Sequence, residues 1–252
     1  MAGESKSSGS GVDSTIKLFK DSWASLQQHK DLWIKLWFLA VVPVSVLSAV
    51  VALVFGLGTD SMVGTTGAIP PTLPGTGVVH LMLFMLVWAV VVGLYSIFVY
   101  SAEVSAFLAV TRDHKSPNIN EIVKAGMDNL GKLLVLVVIM GVFIMLGLIA
   151  LIIPGLILAV LFSFAPLILF DQDVDAFESL KRSARLVSDN FVKVLLFGLA
   201  AFLVNIGIGF VLALAQGISP FVVLDSLLSV AVNAVVTIYI GLGFTRLYLN
   251  LK

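Results

Sequence analysis

"FDQDVDAFESLKRSARLVSDNFVKVL", residues 170–195, interrupts a chain that is otherwise close to continuous hydrocarbon. The stretch is charged, yet Phe177, Leu180, Ala184, Val187, Phe191 and Val194 recur at intervals of 3 and 4 residues, the repeat of one helical face. Asp175, with Glu178 three residues on, forms the pattern of a capping box. Glu178 and Arg182 make an i,i+4 ion pair. An amphipathic helix set between long apolar segments is expected to lie at a membrane surface with its basic side toward anionic headgroups. Its neighbours decide whether that reading holds for the whole chain.

The chain has 252 residues, 59% of them hydrophobic and 12% charged, with a mean hydropathy of +1.09. Soluble domains carry about 25% charged and about 45–50% apolar residues. The excess cannot be hidden in a soluble core of this size, so the fold class is an all-α membrane protein that crosses the bilayer several times. The net charge is zero, which predicts no nucleic-acid partner. There is no cysteine, which excludes disulfides, cysteine-ligated zinc and thiol nucleophiles.

Six apolar segments, near 33–57, 78–100, 133–153, 156–170, 194–215 and 226–247, approach the length needed to cross, about 20 residues for a hydrocarbon core of roughly 30 Å. The fourth is short. It follows the third at "IIPG", Ile152–Gly155, where proline and glycine suit the turn of an antiparallel hairpin. All fifteen Lys and Arg fall in four places: before the first span, after the second, in the opening stretch, and at the C-terminal end. With six spans these places share one face. The positive-inside rule then predicts both termini in the cytoplasm of a plasma (cytoplasmic) membrane protein. Residues 1–14 read as a disordered polar tail and 15–252 as one transmembrane domain. The first span would serve as the insertion signal, and the Gly-, Pro- and Thr-rich stretch 56–77 as an external loop.

The layout of the opening stretch recurs before the first span, where Ile16, Phe19, Trp23, Leu26 and Trp33 keep the same intervals and Lys17 and Lys20 take the polar side. A weaker version, Ile119, Val123, Gly126, Leu130 and Leu133, precedes the third span. Three cytoplasmic amphipathic helices, each feeding an odd-numbered span, suggest three helix-pair repeats. Small residues four apart predict close helix contacts at Ser48, Ala52 and Gly56, at Gly155, Ala159 and Ser163, and at Ser101, Ser105 and Ala109. These are seams within the bundle, or a dimer seam.

Polar groups within membrane segments are the candidates for function. Glu103 is expected on an extension of the second span that overshoots into solvent. Asn205 and Asn233, at similar depth on neighbouring spans, are expected to share an amide hydrogen bond. Pro166 is expected to kink the fourth span. Asp171, Asp173 and Asp175 form an acidic cluster that fits a solvated helix start better than a cation site. His29, His80 and His114 are far apart in the chain, and the sequence has none of the histidine, serine or glycine-loop motifs of hydrolases or nucleotide enzymes. No catalytic residue, metal or cofactor is expected.

The run from Ile152 to Leu195 resembles the glycerophosphoryl diester phosphodiesterase membrane-domain family and related uncharacterised prokaryotic integral membrane proteins. The resemblance rests on Pro154–Gly155, Phe164–Pro166, the acidic break at 171–175, the helix from Ala176 to Ser183, and Asn190, with "INEIVKAGMDNLGKLL" also similar. It implies a membrane module without the family's soluble catalytic barrel. The expected role is therefore a membrane-embedded scaffold or accessory module that is not an enzyme. It would act through lipid contacts, with Lys17, Lys20, Lys181, Arg182 and Arg185 meeting anionic headgroups, or through a protein partner or second copy of itself. The alternative is a small transporter or channel for a lipid or hydrophobic solute.

Overall fold

A computed structural model describes residues 11–54, 75–113, 117–218 and 222–252. Among these residues the chain forms nine helices: α1 (Gly11–Gln28), α2 (Lys30–Val54), α3 (Gly75–Asp113), α4 (Ile119–Ala150), α5 (Ile152–Leu161), α6 (Ala165–Gln172), α7 (Ala176–Asp189), α8 (Phe191–Ile218) and α9 (Val222–Leu251). Among the described residues five stretches are long and apolar enough to cross a membrane: Met85–Arg112, Ile119–Ala150, Ile152–Gln172, Phe191–Ala215 and Leu228–Leu251. The protein is thus an all-helical, multi-pass membrane protein. The segment expected to cross first falls on α2, and part of it lies outside the described residues, as do residues 56–74 of the external loop, His114 and most of the polar tail.

The hairpin of the third and fourth spans forms, with its turn one residue earlier than "IIPG". Leu151 alone is extended, at φ −166° and ψ 145°, and Pro154 sits in the first turn of α5, where its missing N–H has no partner to lose. Gly147 and Gly155 bring the two arms together: a Cβ on Gly147 would lie 2.9 Å from the Cα of Gly155. The returning arm is broken more deeply than a kink. α5 ends at Leu161, and α6 begins at Ala165 with Pro166 in its first turn.

The three-helix repeat expected at the surface is corrected. α1 and α7 are separate helices, ended at His29 and Asn190 before α2 and α8 begin. The weaker segment from Ile119 is instead continuous with its span in the 32-residue α4, since nothing between Ile119 and Leu133 ends a helix. The end of α3 is a second correction. Residues beyond Tyr100 do not stand in solvent. Ser101, Ala102, Val104, Ala106, Phe107, Leu108 and Val110 are buried, making this stretch the centre of the molecule.

One side of α3 packs with Leu18, Phe164, Ile168, Val187, Phe197 and Tyr248. The other packs with Leu32, Trp33, Leu36, Ile122, Ile238 and Leu242. A third cluster joins Leu133 and Leu136 of α4 to Phe162, Leu169 and Leu180. Small residues permit the α3–α4 crossing, where the Ser101 hydroxyl donates to Gly126 O at 2.7 Å. A Cβ on Gly126 would stand 3.1 Å from the Ala102 nitrogen. The opposite halves of the same helices carry exposed apolar side chains, such as Met82 and Leu86 on α3, Met145 and Ile149 on α4, and Phe210 and Val211 on α8. Hydrocarbon solvates such surfaces as well as a protein core does. The bundle is consequently tight at one end and open along the other.

Candidate functional site

The tight end is organised around Asp171, whose side chain is 1% exposed. A buried carboxylate needs partners for its lone pairs, and it has three. Arg112 Nη1 donates to Oδ1 at 3.1 Å, while the Tyr248 hydroxyl and Lys252 Nζ donate to Oδ2 at 2.8 and 2.6 Å. Tyr248 accepts from Gln172 Nε2 at 3.3 Å, and Gln172 Oε1 accepts from Arg182 Nη1 at 2.5 Å. Arg182 Nε also donates to Glu178 at 2.8 Å. The ends of α3 and α9 and the α6–α7 corner are thereby tied at one point.

The acidic cluster is dispersed by this arrangement. Asp171 turns inward, Asp173 meets Lys132 at 2.5 Å, and Asp175 accepts from the Glu178 N–H at 2.7 Å. The last contact is half of the expected capping box. The other half is replaced by the Glu178–Arg182 pair, which the spacing also predicts. Asp173 adopts the left-handed conformation at φ 49°, which lets the chain reverse between α6 and α7.

The apolar stripe that begins on α7 and runs into α8 is mostly buried, at Leu180, Val187 and Val194 and partly at Ala184 and Phe191, and only Phe177 turns outward. Ala176, Ser179, Leu180, Ser183 and Val187 are buried, whereas Phe177 is 63% exposed. The Ser183 hydroxyl donates to Leu161 O at 2.7 Å, meeting a carbonyl freed where α5 ends. On α1 the buried stripe is displaced by one position: Leu18, Ser22 and Ser25 are buried and Phe19 and Leu26 partly so, while Ile16 and Trp23 are 60% and 48% exposed. On their outward faces Lys20 lies between Ile16 and Trp23, and Lys181 one turn from Phe177, with Arg185 a further turn on. Lys17, Lys20, Lys181 and Arg185 make no ion pair among the described residues; Arg182 does.

Between α1 and the end of α9 lies a cleft of about 460 Å³, lined by Asp21, Ser25, Gln28, Thr111, Arg246 and Asn250 among others. Arg246 donates to the Ser25 hydroxyl and lies 3.8 Å from Asp21. Neither this cleft nor the Asp171 centre includes the intramembrane candidates. Glu103 is half-buried on α3. Asn233 donates to Ser229 O at 2.9 Å within its own helix, and Asn205 lines an open groove of about 330 Å³ with Ala201, Phe202, Ile206 and Ile240. Tyr248, Gln172 and Arg246 escape a reading of the sequence because their partners stand 76 to 221 residues away.

Comparison with known families meets the chain along its central length, over residues 79–249. The chain belongs to the uncharacterised protein family UPF0259. The family segment takes in Arg112, Asp171, Gln172, Arg182 and Tyr248, while α1 and α2 precede it. No curated protein and no solved structure matches the chain. No match links it to the glycerophosphoryl diester phosphodiesterase family. The resemblance at 152–195 rests on chain punctuation, which the hairpin, the broken returning arm and the cap of α7 account for in this UPF0259 fold.

Proposed function

We propose that this UPF0259 protein is a membrane-embedded scaffold or accessory module without catalysis, which holds anionic lipid at the cytoplasmic face of the plasma membrane. The reading takes six spans with both termini cytoplasmic, since that arrangement keeps every Lys and Arg on one side. It is carried by the outward faces of α1 and α7. Each pairs an exposed bulky apolar side chain with a lysine one turn away, Ile16 and Trp23 with Lys20, and Phe177 with Lys181. Such a face seats its apolar group at the acyl boundary and its cation at the phosphates. The inward faces are already occupied by the bundle, so the helices are held in place to present these groups.

The test is the phospholipid retained by the purified full chain. The wild type is expected to keep anionic lipid in excess of its share in the source membrane. Each charge removed in Lys20→Gln, Lys181→Gln and Arg185→Gln should lower that enrichment by up to about fivefold. An unchanged ratio in the triple variant refutes the reading. The second reading, a transporter for a lipid or hydrophobic solute, draws on the open groove at Asn205. It requires that Asn205→Leu slow lipid movement between leaflets in reconstituted vesicles.

A further inference from the structure

The cleft between α1 and the end of α9, about 460 Å³, has the size of a small-molecule site. Asp21, Ala24 and Gln28 form its α1 wall. At helical spacing they stand on one flank of the buried stripe of Leu18, Ser22 and Ser25, while Phe19, Trp23 and Leu26 stand on the other. Asp21, Gln28 and Asn250 are exposed, so the cleft opens to water and not to hydrocarbon. Arg246 is the group in it that calls for a ligand. Its side chain is 18% exposed, and its guanidinium carries five N–H donors in a fixed fork. One donates to the Ser25 hydroxyl. Nη1 lies 3.8 Å from Asp21 Oδ2, beyond hydrogen-bond distance. A guanidinium so far withdrawn from water is ordinarily met by an oxyanion in a two-pronged contact, and none of the described residues supplies one.

The chemistry of the occupant follows from the two charges. Both line the cleft, and both keep accessible surface there, the Asp21 side chain being 50% exposed. A bare anion at Arg246 would stand against the Asp21 carboxylate, and a bare cation at Asp21 against the guanidinium. A molecule that carries a carboxylate and an ammonium a few ångströms apart satisfies both at once, and an α-amino acid holds them on a single carbon. Gln28 and Asn250 add side-chain amides at the rim, each able to donate and to accept. They suit an uncharged polar side chain on the bound molecule.

We propose that this cleft binds a zwitterionic α-amino acid with an uncharged polar side chain, its carboxylate at Arg246, its ammonium at Asp21 and its side chain against Gln28 and Asn250. The site goes beyond the lipid-holding reading and shares none of its residues. The test is isothermal titration calorimetry of the purified full chain in detergent with three probes. L-Glutamine carries both charges, glutaramate lacks the ammonium, and 4-aminobutanamide lacks the carboxylate.

Glutamine should bind about tenfold more tightly than either analogue, the effect of one charge-assisted hydrogen bond. Arg246→Gln should lose glutamine and glutaramate alike. Asp21→Asn, at a half-exposed position, should weaken glutamine about tenfold and leave glutaramate unchanged. That split separates contact with the ligand from damage to the fold, which would weaken both. Absence of saturable binding by the wild type, equal affinity for glutamine and glutaramate, or an Asp21→Asn variant that loses both equally overturns the site. So does tighter binding of soluble glycerophosphoethanolamine than of glutamine, which would assign the two charges to a lipid headgroup. Glutamine binding that persists in the Lys20→Gln/Lys181→Gln/Arg185→Gln background supports the cleft whatever becomes of the surface-helix reading.

Discussion

Single residues hold the tight end together through groups that water and lipid cannot reach. Ser183 serves the carbonyl of Leu161 at the break in the returning arm. Ser183→Ala removes that hydroxyl and is expected to cost about 1–3 kcal/mol, read as a lower midpoint of thermal unfolding in detergent. Asp171 tests a finer point. Its cations are 62% and 43% exposed, so losing the ion pairs costs little by itself. Tyr248 is fully buried, and its O–H would lose its acceptor while still accepting from Gln172. Asp171→Ala should therefore destabilise by about 1–3 kcal/mol, and Tyr248→Phe, which leaves Asp171 with Arg112 and Lys252, by about 1 kcal/mol. If Tyr248→Phe proves the worse of the two, the carboxylate does not organise this end as described.

At the scale of the elements, what could be read in advance was local. The cap at Asp175, the pair Glu178–Arg182, the hairpin after Ala150 and the disruption at Pro166 all depend on residues within a few positions of each other. The buried face of α7 was legible too, in Leu180 and Val187, but that of α1 was not. On α1 periodicity marks Ile16 and Trp23, but close packing selects the stripe of Leu18, Ser22 and Ser25 beside it. Small side chains let helices approach closely, and hydrophobicity does not discriminate where lipid is as apolar as protein. The hairpin offers the clearest element-level prediction. A Cβ on Gly155 would stand 2.5 Å from Leu148 Cγ and 2.7 Å from its backbone nitrogen, which cannot move aside. Gly155→Ala should spread the arms and cost about 1–3 kcal/mol, measured by thermal unfolding. A neutral result would show that the arms are not in contact there.

For the whole molecule, the arrangement of charge predicts an orientation that labelling can check. The chain has no cysteine, so single introduced thiols report without background. In intact cells Thr66→Cys should react with a membrane-impermeant maleimide and Arg185→Cys should not. The reverse pattern would invert the topology and detach the basic helices from the cytoplasmic leaflet.

The sequence by itself determined that this is a helical, multi-pass membrane protein, and where most of its helices begin and turn. Composition, the length of apolar runs and capping residues act locally and need no partner. Tertiary structure alone decided that the end of α3 is the core, that Glu103, Asn205 and Asn233 are not brought together, and that Asp171 meets Arg112, Tyr248 and Lys252. The reason is physical: polar groups inside a bundle are paired by whichever helices stand side by side, and adjacency among segments 59 to 81 residues apart leaves no periodicity in the chain.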